Sequence, residues 1–240
     1  MRDIFKGFAL AVSMLTTVPF FKVHDFFKGI NGYAVMFYPL VGFLLGSALW
    51  GVQSLLSPFA PSFHLGIIIF VLWVLLTGAL HLDGLSDTVD GLYVAKEKAL
   101  KVMKDSHVGG MGMIISATFL IAKASSLAHF EAFYLLPIIL MLSRLNIVLA
   151  IYLYPYVTPN GMNTLAKEEL TKKQMFIALF YSLILVAFFN MWLALATALL
   201  VLFVIKSFFI KCYGGFTGDI YGFSIEVTEL ILLNVLLFSL

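Results

Sequence analysis

The sequence predicts an all-α, polytopic helical membrane protein that forms one integral-membrane domain over residues 1–240. Of its 240 residues, 62% are hydrophobic and only 12% are charged, and the mean hydropathy is +1.03. A soluble domain is about a quarter charged, so this chain has too little polar surface to cover a water-facing globule. Several apolar runs also approach or exceed the roughly 20 residues that a helix needs to cross a bilayer.

The apolar runs predict about seven transmembrane helices, at residues 33–56, 62–81, 110–129, 132–154, 175–189, 191–210 and 219–240. The run 175–189 is short, and Asn190 after it implies a tight turn before the next helix. The first apolar segment, residues 4–20, is interrupted near its end by two threonines and a proline. We expect a re-entrant or interfacial segment there, with both ends on one side of the membrane, although a signal-anchor is the alternative.

Basic residues predict the orientation. Lysines and arginines precede the first certain span and recur at residues 96–104, in the connection 155–174 and beside the last turn, whereas the intervening connections have none. By the positive-inside rule the basic connections are cytoplasmic, so we expect a multi-pass protein of the cytoplasmic (inner) membrane whose active site faces the cytoplasm. The net charge of +2 argues against a nucleic-acid partner, and a single cysteine, Cys212, excludes an intrachain disulfide.

The most informative segment runs from His81 to Gly91 and contains Asp83, Asp87 and Asp90. On a helix at about 100° per residue, the second and third aspartates lie roughly 40° and 20° to either side of the first. Three carboxylates on one face repel one another unless a cation or a cationic substrate neutralises them. Such oxygen ligands suit Mg²⁺ or Mn²⁺, which usually bind phosphate as well. The alternative is a solvated acidic helix cap beyond a membrane segment.

A second polar segment, Met103–Gly112, contains three glycines among candidate phosphate contacts. Lys104 and His107 can contact phosphate oxygens, and Asp105 can join a metal site or orient a base. The glycines allow a backbone to approach closely. A glycine-rich break before a span is the alternative, because such turns are common.

A third segment, Gly214–Glu226, places Asp219 and Glu226 seven residues apart and therefore on one helical face, with Gly222 between them. Glu226 would lie about two turns inside the bilayer, where an ionised carboxylate is costly without a partner. We expect this face to meet the acidic segment across a cytoplasmic cavity. A structural salt bridge at Glu226 is the alternative.

Two cations, Lys123 and Arg144, fall within predicted spans, where each needs a partner or a water-filled cavity. Lys123 has two interpretations, a functional role or a side chain that snorkels to the outer interface. We expect Arg144 to pair with an acid such as Glu226 or to reach an anionic substrate. Glu229 is a further acid inside a span, neutralised or paired.

Together these segments resemble the motifs of the cobalamin synthase family, the adenosylcobinamide-GDP ribazoletransferases. The resemblance rests on His81–Gly91, on Met103-Lys104-Asp105-Ser106 with Gly109 and Gly112, on Gly214–Glu226 with Thr217-Gly218-Asp219, and on the shorter runs Thr17-Val18-Pro19 and Tyr38–Gly42. It covers nearly the whole chain in the expected order. One departure is His107, which stands where the family usually has arginine.

The resemblance implies a catalytic domain for the last assembly step of the vitamin B12 nucleotide loop. Adenosylcobinamide-GDP and α-ribazole, or its 5′-phosphate, give adenosylcobalamin, or its 5′-phosphate, and GMP, with Mg²⁺ as the expected cofactor. The predicted metal ligands are Asp83, Asp87, Asp90 and Asp219. The candidates for catalysis are Asp219, Asp90 and Asp105. The predicted substrate contacts are His81, Lys104, Ser106, His107, Lys123, Arg144, Thr217, Gly218 and Glu226.

Other classes stay as alternatives. The acidic segment resembles, more loosely, that of the CDP-alcohol phosphotransferases, which are also membrane enzymes. A cation-coupled transporter is disfavoured because the acids cluster at one membrane face and the chain has no repeat pair. A non-catalytic scaffold of the pathway would need no metal site. The number of metals, the identity of the general base and the oligomeric state, a homo-oligomer included, stay open.

The charge distribution makes a testable prediction about topology. In a variant without Cys212, single cysteines placed within 94–108 or 158–172 should be protected from membrane-impermeant thiol reagents in intact cells, and cysteines within 57–61 should react. Mass-shift labelling before and after permeabilisation measures this. The reverse labelling pattern would overturn the predicted orientation.

Overall fold

The computed structural model describes residues 2–18, 27–105, 107–158, 161 and 163–239, and in this part of the chain it contains eleven α-helices and one 3-10 turn. The helices are α1 (Arg2–Leu15), α2 (Ile30–Leu56), α3 (Ser62–Thr77), α4 (Leu80–Leu92), α5 (Lys96–Val102), α6 (Gly110–Ala128), α7 (Leu136–Leu153), α8 (Thr164–Glu169), α9 (Lys172–Phe188), α10 (Trp192–Tyr213) and α11 (Gly218–Ser239), and the 3-10 turn is Phe133–Leu135. The predicted all-α class is confirmed.

Five helical segments among the described residues are long and apolar enough to cross a membrane: α2, α6, the 3-10 turn joined to α7, α10 and α11. The pair α3 and α4 passes the same test together but is bent by 83°, so it is a broken span or a re-entrant loop. Helix α9 has 17 residues, about 25 Å, less than the roughly 30 Å hydrocarbon core. Length and composition thus give five or six spans among the described residues. Helix α9, at the short end of the roughly 17–25 residues of a membrane-spanning helix, corresponds to the further span that the sequence predicted at 175–189. Helix α1, with 14 residues, is also short, as expected of an interfacial segment.

The bend between α3 and α4 lies at Gly78 and Ala79, which both adopt left-handed backbone conformations with φ of +61° and +55°. The carbonyls at the end of α3 find partners on Thr17. Its backbone N–H donates to Leu76 O at 2.8 Å, and its hydroxyl donates to Leu75 O at 3.0 Å. Since a helix end leaves its last carbonyls unpaired, Thr17 stabilises the bend that sets the direction of α4.

Helix α7 is the centre of the bundle, and its residues 136–151 are all buried. Helix α2 approaches it most closely at two glycines. A Cβ added at Gly42 would lie 2.3 Å from Leu140 O, and one at Gly46 would lie 2.5 Å from Leu136 O. The four-residue spacing of these glycines is the small-residue pattern by which membrane helices pack backbone against backbone.

Pro39 interrupts the hydrogen-bond ladder of α2, and a side chain from α9 repairs it. The Tyr181 hydroxyl donates to Met36 O at 2.9 Å and accepts from the Leu40 N–H at 3.2 Å. An inserted hydroxyl of this kind keeps backbone groups paired where proline removes a donor. Helix α2 therefore continues through Pro39.

A buried ion-pair network joins α6, α7 and α11. Lys123 Nζ donates to Glu226 Oε2 at 2.8 Å and to Glu229 Oε2 at 2.6 Å, and Arg144 donates to the other oxygen of Glu229. None of these four residues is more than 3% exposed. Lys123 Nζ also lies 4.1 Å from the centre of the Trp73 ring. Two cations balance two anions, so the network buries no net charge.

The network corrects two sequence-based expectations. Arg144 bonds to Glu229 and not to Glu226, because Glu229 presents one oxygen to each of the two cations. Lys123 does not snorkel to the outer interface, because two carboxylates lie within hydrogen-bond distance inside the bundle. The sequence left open whether Glu229 is neutralised or paired. In the structure it is paired, and both cations share it.

The close packing of α2 on α7 can be tested with two glycines of one helix. Gly42→Ala should destabilise the protein by about 1–3 kcal/mol, because the added Cβ overlaps a backbone carbonyl. Gly51→Ala is the matched control, since nothing lies within 4 Å of a Cβ at that position. Thermal unfolding in detergent measures both, and equal melting temperatures for the two variants would contradict the packing described for α2.

The ion-pair network is expected to be energetically coupled. Glu229→Gln leaves two cations against one carboxylate, and breaking a buried pair in this way costs about 3–5 kcal/mol. A double-mutant cycle measures the coupling of Lys123 to Glu226. Lys123→Met and Glu226→Gln should each lower the free energy of unfolding, and the double variant should lose at least about 1 kcal/mol less than the two single losses added together. Additive melting-temperature shifts would show that the pair is not coupled.

Candidate active site

Helix α4 lies across the first turns of α6 and α11 and is bent away from α3, so it does not continue the α3 span. Its backbone touches that of α11 where both have glycine. A Cβ at Gly84 would lie 2.9 Å from Asp219 O, and a Cβ at Gly222 would lie 3.0 Å from His81 O. Glycine lets the two backbones come this close without displacing either helix. The acidic segment and the α11 segment therefore face each other, as the sequence predicted.

Asp83 and Asp219 line one cavity of about 170 Å³ between α4 and α11. The cavity has an apolar wall, part of which comes from α1, and four more polar residues, Tyr38, His81, Asn163 and Tyr221. Among the described residues, His81 Nδ1 and the Tyr221 hydroxyl are buried without a hydrogen-bond partner. Buried polar groups are nearly always paired, so these two atoms mark a place where a ligand or water would bind.

Asp87 lies one turn along α4 from Asp83 and is half-buried. Burial, and then the negative charges of Asp83, Asp219 and Asp90, raise the pKa of Asp87 to about 7. Carboxylates that repel one another in this way favour a bound cation or a shared proton at neutral pH. The exposed Lys104 also lies within electrostatic range of Asp219.

The donor set suits Mg²⁺ by its chemistry, because Asp83, Asp87 and Asp219 offer hard oxygen atoms whose charges repel one another. In the part of the chain that the structure describes, no group of three or more His, Cys, Asp or Glu side chains is already arranged to hold a metal ion. Binding would therefore require these carboxylates to turn toward one another. The metal site stays a prediction.

Asp90 belongs to the same helix, but its carboxylate is bound to the backbone of α6. Its carboxylate accepts from the Gly109 N–H and the Gly112 N–H, both at 2.7 Å. Helix α6 has no capping side chain of its own, so Asp90 caps the N-terminus of α6 from α4. A Cβ at Gly112 would lie 2.3 Å from Asp90 Oδ2, so a larger residue at this position would displace the capping carboxylate. The predicted metal and catalytic roles of Asp90 stay predictions.

Asp105 and His107, between α5 and α6, are solvent-exposed. Asp105 accepts from His107 Nδ1 at 2.7 Å and from its backbone N–H at 3.1 Å, and the side-chain bond and then the backbone bond lower the pKa of Asp105. Neither residue is among the described residues that line the acidic cavity. Ser106 lies outside the described residues. The roles predicted for Asp105, Ser106 and His107 stay predictions.

Thr217 positions Asp219 at the start of α11. The buried Thr217 hydroxyl accepts from the Ile220 N–H at 3.2 Å and lies 3.3 Å from Asp219 Oδ2, to which it donates. Gly218 lines the cavity, and a Cβ there would lie 3.1 Å from Asn163 Nδ2. Of the predicted substrate contacts, His81 and Gly218 therefore line the cavity, and Thr217 hydrogen-bonds to Asp219.

Three further residues were predicted to contact substrate: Lys123, Arg144 and Glu226. None of them is among the described residues that line the acidic cavity. Their charged groups are engaged with one another and with Glu229, because inside a bundle the nearest opposite charge is a neighbouring helix. A direct substrate contact would require the network to open, so their predicted binding roles have no support from the geometry.

Sequence reasoning missed three polar residues of the cavity. Tyr38 and Tyr221 stand inside two of the recognised segments, so a tyrosine within such a segment was the available signal. Asn163 lies in a connection without any distinctive pattern, and only the tertiary structure places it in the cavity.

Comparison with known proteins identifies the family of the chain. The model of a family described as cobalamin-5-phosphate synthase matches residues 7–237. Several relatives are named adenosylcobinamide-GDP ribazoletransferase. That of Desulforamulus reducens is 37% identical over 94% of each chain, and that of Desulfitobacterium hafniense is 34% identical over 93% of each. A third, from Thermosynechococcus vestitus, is 38% identical over 83% of this chain and 84% of the relative. No solved structure matches the chain.

Proposed function

The chain belongs to the cobalamin-5-phosphate synthase family, and from that premise we propose that it is an adenosylcobinamide-GDP ribazoletransferase. In the proposed reaction, a hydroxyl of α-ribazole, or of its 5′-phosphate, attacks the cobinamide-bound phosphorus of adenosylcobinamide-GDP. The bond from that phosphorus to the GMP oxygen breaks. The products are adenosylcobalamin, or its 5′-phosphate, and GMP, and the reaction completes the B12 nucleotide loop.

The observation that carries this proposal is the cavity that Asp83 and Asp219 share, with Asp87 within electrostatic range of both. Phosphoryl-type transfer to an alcohol depends on charge neutralisation, in-line positioning and a base more than on a covalent intermediate. Carboxylates from two facing helices can supply both a cation site and a base. A transporter site near the bilayer midplane would not need these groups at the bundle end.

The residues divide into distinct proposed roles. Asp83, Asp87 and Asp219 would hold Mg²⁺, which when bound neutralises the diphosphate charge. Asp219 is also the strongest candidate for the base that takes the ribazole hydroxyl proton, because Thr217 orients it, whereas both oxygens of Asp90 already accept backbone N–H groups. The unpaired His81 Nδ1 and Tyr221 hydroxyl would contact polar atoms of the substrate.

We also propose that the site faces the cytoplasm from the cytoplasmic membrane, since the basic residues cluster in the connections at this end of the bundle. Adenosylcobinamide-GDP has a large amphipathic ring system and a charged nucleotide. The cavity suits such a molecule because one wall is polar and another includes Met14 and Leu15 of the short helix α1. Membrane location would thus let the substrate enter at the bilayer surface.

The proposal predicts that the purified protein releases GMP from adenosylcobinamide-GDP and α-ribazole only when Mg²⁺ is present. Asp87→Asn should lower that rate on the order of a thousandfold or more, because it removes a ligand from the site of transition-state charge. Chromatographic quantification of GMP measures the rate, and a thermal melt shows that the variant is folded.

Glu97→Gln is the matched control, since this exposed acid of α5 lines neither the acidic cavity nor any other part of the proposed site. Its rate should equal that of the wild type. A wild-type rate in Asp87→Asn would exclude the metal-site model, and a wild-type protein that releases no GMP would exclude the proposed activity itself.

A further inference from the structure

Four aromatic rings form a stacked column beside the acidic cavity. The ring centres of Tyr154 and Phe216 are 5.7 Å apart, those of Phe216 and Tyr221 are 5.5 Å apart, and those of Tyr221 and Tyr156 are 6.0 Å apart. The angles between the ring planes in these pairs are 12°, 20° and 13°. Tyr221 lines the acidic cavity, and Tyr156 lines a second cavity of about 270 Å³. The column therefore connects two neighbouring cavities.

Backbone hydrogen bonds hold Tyr156 in place. The Phe216 N–H donates to Pro155 O at 2.9 Å, and the Val157 N–H donates to Phe216 O at 2.9 Å. These bonds tie the connection after α7 to the segment before α11. Because the backbone is fixed on both sides of Tyr156, its ring loses little conformational freedom when a ligand binds to it.

The second cavity also holds an unpaired carboxylate. Glu168 lines it and is exposed, and among the described residues no hydrogen bond or ion pair engages its side chain. The adjacent Lys167 does not neutralise it. Lys167 Nζ donates to three carbonyls at the end of α7, at 2.7, 2.9 and 2.8 Å, so all of its donors are used. The cavity thus combines an aromatic side chain with a free acceptor.

This second cavity lies next to the proposed reaction centre. Asp219 is within electrostatic range of Tyr156, and a Cβ at Gly218 would lie 4.0 Å from the Tyr156 hydroxyl. Asn163 lines the acidic cavity, and the next residue, Thr164, lines the second one. A nucleotide whose phosphates lie in the acidic cavity would therefore place its base in the second cavity.

We propose that Tyr156 and Glu168 form the binding site for the guanine of the nucleotide leaving group, an assignment that rests on the proposed function. Aromatic side chains stack on any base, so Tyr156 supplies affinity without selectivity. An ionised carboxylate only accepts hydrogen bonds. Guanine offers two donors on one edge, N1–H and the N2 amino group. Adenine presents an acceptor at N1, and the alkylated benzimidazole of α-ribazole has no N–H, so Glu168 selects guanine over both.

The test measures nucleotide binding to the full-length protein in detergent with Mg²⁺, by isothermal titration calorimetry with GMP, IMP and AMP. IMP lacks the N2 amino group and keeps N1–H. The wild type should bind GMP at least about tenfold more tightly than IMP, because one charge-assisted hydrogen bond is lost. Glu168→Gln should weaken GMP binding about tenfold or more and bring the GMP and IMP affinities within about twofold. Glu97→Gln should leave both unchanged.

The stacking role has its own pair of variants. Tyr156→Leu should weaken GMP and IMP binding equally, by about tenfold, and keep the preference between them. Tyr156→Phe keeps the ring and should bind both nucleotides as the wild type does. If Tyr156→Leu fails to fold, the comparison of Glu168→Gln with Glu97→Gln still decides the assignment of Glu168.

The guanine site and the proposed function fail in different ways. If folded Glu168→Gln keeps the wild-type preference for GMP over IMP, or loses α-ribazole binding and not GMP binding, the guanine site is overturned. The proposed function then still stands if the variant releases GMP from adenosylcobinamide-GDP. If the wild type releases no GMP in that reaction, the function is overturned, whatever the binding preference.

Discussion

The candidate site depends on the contact between the backbones of α4 and α11 at Gly84 and Gly222. A Cβ on Gly84 would lie 2.9 Å from Asp219 O, and one on Gly222 would lie 3.0 Å from His81 O, both tighter than ordinary contacts. Because no side chains separate the two helices there, Asp83 and Asp219 line one cavity although they are far apart in the chain. The glycines of these segments therefore matter as much to the site as the acids do, since they set the distance between carboxylates.

Helix α11 connects this contact to the interior of the bundle. Asp219, Gly222, Glu226 and Glu229 follow one another at helical spacing, so one face carries the cavity acid, the crossing glycine and both acids of the ion-pair network. Lys123 from α6 and Arg144 from α7 bind the deeper end of that face. The network accordingly restricts the rotation of α11 about its axis, and rotation is what would move Asp219 out of the cavity.

The three aspartates of α4 share a helical face but not an environment. Asp83 lines the cavity, Asp87 is half-buried among like charges, and Asp90 caps α6 through two backbone amides. The same motif thus supplies candidate active-site carboxylates, Asp83 and Asp87, and the hydrogen bonds from Asp90 that hold α4 against α6. The second cavity, with Tyr156 and Glu168, adds a nearby surface whose chemistry differs from that of the acids. Charge neutralisation and base recognition would occupy separate regions joined by the aromatic column.

The sequence by itself determined the membrane class, the helical content and the two acidic faces, because composition and helical periodicity are local properties. It also identified Asp83, His81, Gly218 and Asp219 as site residues, and all four line the cavity. The tertiary structure alone decided the bend at Gly78 and Ala79 and the cap by Asp90. It alone also showed that two cations share Glu229 and that Tyr156 and Glu168 line one cavity. Most of these features join residues of different helices, and which helices meet depends on packing across the whole bundle. A repeat period within one segment carries no information about that packing.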